Sequence, residues 1–73
     1  MSSRRFIALE THTSSIQLER VFWECIDKLA SGRWQDWVLA QEKNKPKSQN
    51  RASYLRTLVV EALRNGQVSY AAW

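Results

Sequence analysis

Residues 13–18 constrain the fold more than any other stretch of the chain. Ser14, Ile16 and Leu18 fall on one side of an extended backbone, and Thr13, Ser15 and Gln17 on the other. That period of two marks a half-buried strand, and threonine and isoleucine favour extended backbone. Nothing later in the sequence reads as a hairpin partner, and residues 1–10 show no clear period, so they are expected to form a flexible basic arm. A solitary strand leaves its amides and carbonyls unpaired. The spacing therefore predicts pairing with the same strand of a second copy. Size points the same way. A core built from 73 residues rarely supplies more than about 3–5 kcal/mol without a staple. The single cysteine, Cys25, allows no internal disulfide, and with the single histidine, His12, it gives too few ligands for a Cys/His metal site. Oligomerisation is the staple that remains. At 44% apolar residues, the chain is too hydrophobic for a disordered tail.

After the strand the period changes to that of helices. From Glu19 to Ala30, Phe22, Cys25, Ile26 and Leu29 recur at spacings of three and four. Glu19 and Glu24 lie early and Lys28 late, as the helix dipole prefers. Ser31 and Gly32 stop this helix. A second helix is predicted from Arg33 or Trp34 to Lys43, with Trp34, Trp37, Val38 and Gln41 on one face. Residues 44–49 form a polar, proline-bearing linker. A third helix is predicted from Asn50 to Arg64, with Ala52, Leu55, Leu58, Val59, Ala62 and Leu63 as its apolar stripe and Asn65-Gly66 as its stop. The domain is thus expected over residues 11–65, followed by a tail, 66–73, that contains Tyr70 and Trp73.

Charge narrows the choice of partner. The net charge of +4 leans toward nucleic acid or another acidic surface. Arg4 and Arg5 form one basic group, and Lys43, Lys45, Lys47 and Arg51 another with no acid inside it. The apolar run Phe6–Leu9 is too short for a signal-peptide core. No run approaches the roughly 20 residues of a membrane span. A free cysteine then fits a reducing cytoplasm. Catalysis finds no support. Cys25 lies on a buried stripe, where a thiol behaves as a small hydrophobe, and two glycines cannot build a phosphate-cradling loop. No enzyme, metal or cofactor is expected.

Two such strands paired across a two-fold axis would make an antiparallel ribbon, which fits the major groove of B-DNA. Ile16 and Leu18 would pack on the helices, while Thr13, Ser15 and Gln17 faced the base edges. Glutamine suits adenine, because its amide donates and accepts at once. The same three residues are also what a half-buried strand would simply show to water. The start of the second helix could hold a phosphate at its free amides, with Arg33 beside it. Trp34 and Trp37 read as large core residues. Trp23 lies off the main stripe and is expected to be partly exposed.

The segment from Thr11 to Ala30 resembles the opening of the compact ribbon-helix-helix family. Members show a His-Arg-Thr-Ser stretch, an apolar-polar-Leu-Glu step and a Phe-Trp pair. Here these read His12-Thr13-Ser14-Ser15, Ile16-Gln17-Leu18-Glu19 and Phe22-Trp23. Asn50, Ala52, Leu55, Arg56 and Leu63 resemble the closing helix of that family. The likeness covers roughly residues 11–65. It implies a mainly α chain with one short N-terminal strand, assembled as a ribbon-helix-helix homodimer with an additional C-terminal helix. By that likeness the DNA-facing positions are Thr13, Ser15 and Gln17. The chain departs from the pattern in having Thr13 where the family carries an outer-face arginine, and a tryptophan-rich stretch where it places a hydroxyl cap.

The expectation is a cytoplasmic transcriptional repressor that binds double-stranded DNA as a homodimer. Its phosphate contacts would come from Arg4, Arg5, Arg33, Lys45 and Lys47. Its dimer core would be Ile16, Leu18, Phe22, Ile26, Trp37, Leu55 and Val59. The rival expectation is an interaction module of the same fold, an inhibitor or adaptor that grips another protein through exposed tryptophans.

Overall fold

In the computed structural model, which describes residues 2–68, the chain begins with a hairpin. Strand β1 (Ser2–Ala8) runs antiparallel to β2 (Thr13–Glu19), with Ser2 opposite Glu19, Arg4 opposite Gln17 and Ala8 opposite Thr13. The Leu9 amide donates to the His12 carbonyl across the turn at 2.7 Å. Three helices follow: α1 (Arg20–Leu29), α2 (Trp34–Glu42) and α3 (Arg51–Arg64). The element order after β2 is the expected one, with boundaries within a residue or two. The hairpin itself corrects the sequence reading. Residues 2–8 are a strand and not an arm, and β2 finds its mate within its own chain. The argument that a lone strand requires a second copy therefore falls away.

The reason β1 escapes a period-of-two reading is chemical. Its inner side carries Arg5 and Ile7, and its outer side Arg4, Phe6 and Ala8. An arginine points in and a phenylalanine points out, so polarity does not track burial. Arg5 is accommodated by a carboxylate and two indoles. Its Nη1 and Nη2 donate to Asp27 Oδ1 and Oδ2 at 2.7 and 3.0 Å. Its guanidinium also lies 4.6 Å from the Trp23 ring centre and 5.2 Å from that of Trp34. Trp23 and Trp34 meet edge to face at 5.3 Å, the arrangement that aromatic quadrupoles favour. Trp23 is 2% exposed, against the expectation of partial exposure. Its Nε1–H donates to the Ser3 carbonyl at 2.9 Å, so burying the indole leaves no unpaired donor.

The inner face of the hairpin packs on the helices through Ile7, Ile16 and Leu18. With Trp23, Cys25, Ile26, Val38, Leu55 and Val59 they form one core, flanked by the partly buried Leu9, Phe22, Trp34, Trp37, Ala52 and Leu58. Each fully buried aliphatic side chain contributes about 1.5–3 kcal/mol. Five residues expected at a dimer core (Ile16, Leu18, Ile26, Leu55 and Val59) are thus already buried in one chain, while Phe22 and Trp37 remain half-buried.

Arginine–carboxylate forks tie the elements together. Arg51 Nε and Nη2 donate to the two Glu42 oxygens at 2.8 and 2.7 Å, joining α3 to the end of α2, and Nη1 reaches Ser14 Oγ on β2 at 3.2 Å. Arg56 Nε and Nη2 donate to the Glu19 carboxylate at 2.9 and 3.2 Å, joining α3 to the end of β2. Helix α1 ends in a 6→1 and 5→2 pair of bonds, Gly32 N–H to the Asp27 carbonyl at 3.0 Å and Ser31 N–H to the Lys28 carbonyl at 3.3 Å. Ser31 occupies the left-handed position at φ 53°, where glycine is usual. Helix α3 starts with Asn50 Oδ1 accepting from the Ser53 amide at 2.7 Å and stops at Gly66, φ 74°, as its sequence predicts. Tyr70 and Trp73 lie outside the described residues.

Candidate nucleic-acid interface

The hairpin turns two rows of side chains away from the core. From β1 come Ser2, Arg4, Phe6 and Ala8, and from β2 Thr13, Ser15 and Gln17, all exposed. The sequence-expected reading residues are therefore together on one face, in the alternation that β2 predicts. The other half of that face was not legible as such. Arg4 lies cross-strand from Gln17, and its Nη2 donates to Gln17 Oε1 at 3.1 Å. Gln17 Nε2 in turn donates to Ser2 Oγ at 2.8 Å. Phe6 stands opposite Ser15 and is 64% exposed. It is an apolar ring in the middle of a polar ridge. The available signal was the order Arg-Arg-Phe-Ile-Ala, whose aromatic and β-branched residues favour strand.

The chemistry of this face suits a duplex. Hydroxyls at Ser2, Thr13 and Ser15 donate or accept, the Gln17 amide does both, and Arg4 donates only. Alanine and phenylalanine can meet a thymine methyl. The carboxylate of Glu19, opposite Ser2 at the end of β2, is held by Arg56. The hydrogen bonds from that guanidinium keep its pKa below the ordinary glutamate value, so it stays an occupied anion. Arg4 is the cation of the ridge, with Glu19 at one end, opposite Ser2, and Glu10 exposed in the turn at the other.

The expected phosphate contacts separate into groups. Arg4 is on the ridge. Arg5 faces the core and is engaged with Asp27, which removes it from the set. Arg33 is exposed at the N-cap of α2, at φ −103° and ψ 55°, and lends that helix no side-chain cap. Lys47 is exposed, whereas Lys45 is half-buried and its Nζ donates to the Gln49 and Pro46 carbonyls at 2.9 and 3.2 Å. Arg51, in the same basic segment, is committed to Glu42 and Ser14. Burial pushes the Cys25 thiol up in pKa, while His12 is exposed in the hairpin turn with Thr11 Oγ1 at 3.0 Å. The two are not placed as a nucleophile and a base. No helix among the described residues is long and apolar enough to cross a membrane.

Residues 2–63 match the family model described as a ribbon-helix-helix domain. That span includes β1, which lay outside the 11–65 boundary expected from the sequence. Neither the curated proteins nor the solved structures contain a match.

Proposed function

Because the chain belongs to the ribbon-helix-helix family, whose members are typically non-enzymatic DNA-binding regulators, we propose that it is a sequence-specific DNA-binding repressor acting in the cytoplasm. Its hairpin enters the major groove with Ser2, Arg4, Phe6, Thr13, Ser15 and Gln17 toward the base edges. One observation carries this reading: a two-stranded ribbon, the width the groove admits, turns Ser2, Arg4, Thr13, Ser15 and Gln17 to one exposed face, together with Phe6 and Ala8, while Ile7, Ile16 and Leu18 pack on the core. Arg33 and Lys47 supply phosphate contacts at the edges. The family generally dimerises, and we read this chain as a homodimer. The support is the apolar surface left at Leu39, Val60 and Leu63.

The rival interaction module needs exposed tryptophans. Trp23 is buried, and Trp34 and Trp37 are half-buried against the core, so that motive weakens. Selection of binding sites from random duplexes by the purified protein tests the proposal. The expected result is a consensus sequence whose affinity falls steeply with salt, and whose Gln17→Ala variant binds it more weakly by roughly 1–3 kcal/mol. Recovery of no consensus, or of one that Gln17→Ala binds unchanged, rejects the ribbon as the reader.

A further inference from the structure

We infer that the groove between the end of α1, α2 and the last turns of α3 is the seat of this chain's own segment beyond Val68, residues 69–73, and that the ring of Tyr70 is the side chain that fills it. The groove takes no part in the proposed DNA-reading face of the hairpin.

Leu29, Trp37, Leu58 and Ala62 supply the apolar lining of this groove, and Gln41 and Glu61 its polar lining. Leu29, Trp37 and Leu58 are only half-buried among the described residues. Their remaining apolar surface favours a cover. At about 220 Å³ the groove is smaller than the roughly 300–1,000 Å³ of small-molecule pockets. It suits one large side chain.

The path of the chain points to the occupant. Helix α3 ends in the same pair of bonds as α1. Gln67 N–H donates to the Ala62 carbonyl at 2.9 Å and Gly66 N–H to the Leu63 carbonyl at 3.3 Å, with Gly66 at φ 74°. That motif turns the backbone out of the helix. Here it turns it past Ala62, and Asn65 and Gln67 themselves line the groove. Val68, the last described residue, is buried, so the chain is directed over apolar surface at that point. The sequence continues Ser69-Tyr70-Ala71-Ala72-Trp73, with two aromatic residues and no charge. In extended backbone Tyr70 falls on the same side as Val68 and roughly 7 Å further on. Trp73 falls on the opposite side. A covered tyrosine needs a partner for its hydroxyl, and Gln41 and Glu61 offer one. A ring tethered two residues away has an effective concentration on the order of millimolar. A second copy in dilute solution does not match it.

Nuclear Overhauser contacts in the full chain test the assignment. Labelled and unlabelled chains, mixed unfolded and refolded together, separate contacts within one chain from contacts between copies. The expected result is contact within one chain between the Tyr70 ring and the methyl groups of Leu29, Leu58 and Ala62. Tyr70→Ala should lower the folding equilibrium constant by roughly 10-fold or more, read by chemical denaturation, and Tyr70→Phe much less. The two sites should couple, so Tyr70→Ala should cost less in a Leu58→Ala background. Contacts found only between copies would make the groove an interface and overturn the assignment. Contacts from Trp73 in place of Tyr70 would reject the chosen ring. Absence of any such contact, with Tyr70→Ala as stable as the wild type, would leave the groove open to water and defeat the proposal.

Discussion

Arg4 and Arg5 are adjacent in sequence and opposite in fate. Strand alternation sends one to the outer ridge and the other under the hairpin, where it meets Asp27, Trp23 and Trp34. Their substitutions should therefore separate. Arg5→Ala removes a carboxylate fork and two cation–π contacts that are partly shielded from water, and is expected to lower stability by roughly 1–3 kcal/mol, read by chemical denaturation. Arg5→Lys should not restore it, because an ammonium lacks the planar fork. If Arg5→Ala instead left stability intact and reduced DNA affinity, Arg5 would belong with Arg4. Cys25 offers a second check at this scale. Buried in the core, with burial pushing its thiol up, it should resist thiol reagents at neutral pH and react once the chain is unfolded. Fast labelling of the native protein would contradict the packing. The shared exposed face of Thr13, Ser15 and Gln17 was legible because β2 alternates cleanly. Arg4 and Phe6 were not legible as members of the same face. Recognising them requires knowing that Arg5 is neutralised inside, a long-range fact that Asp27 and Trp34 decide.

The helices were legible for local reasons. Spacings of three and four place their buried residues, and Asn50, Gly32 and Gly66 mark their ends. Their caps give quantitative predictions. Asn50→Ala removes the acceptor of the Ser53 amide and should cost about 1 kcal/mol. Ser31→Gly should stabilise by about 0.5–1 kcal/mol, since φ 53° strains any residue with a Cβ. A destabilised Ser31→Gly variant would argue against that backbone. The joint between α2 and α3 depends on pH. Hydrogen bonds from Arg51 hold the Glu42 carboxyl below its ordinary value. A group with a lowered folded pKa binds protons more readily when unfolded. Its contribution is thus complete above the ordinary glutamate range (about 4.3) and is lost as the pH falls through the folded value. Glu19, held by Arg56, acts in the same direction. Stability should therefore be flat from neutral pH toward 5 and drop below it, and Glu42→Gln should shrink the drop. An acid limb identical in Glu42→Gln and wild type would show that this joint does not set it. The element the sequence hid was β1, because polarity along it runs against burial.

For the molecule as a whole, the hairpin changes the order of events expected from a lone strand. A strand waiting for a second copy would make folding depend on association. Here the ribbon is closed and nine core side chains are buried within one chain. Folding is thus expected to precede dimerisation. Far-ultraviolet circular dichroism should persist on dilution through the range where native mass shows the dimer dissociating. Parallel loss of structure and dimer would restore the intertwined alternative. The same closure places the whole of the proposed reading face in a single chain, and this is the claim on which the functional account stands. Its most direct test is titration of the isotopically labelled chain with its selected duplex, followed amide by amide in nuclear magnetic resonance spectra. The account predicts the largest changes at Ser2, Arg4, Phe6, Ala8, Thr13, Ser15 and Gln17, with smaller ones near Arg33 and Lys47. Changes confined to the helices, with those seven residues undisturbed, would contradict it.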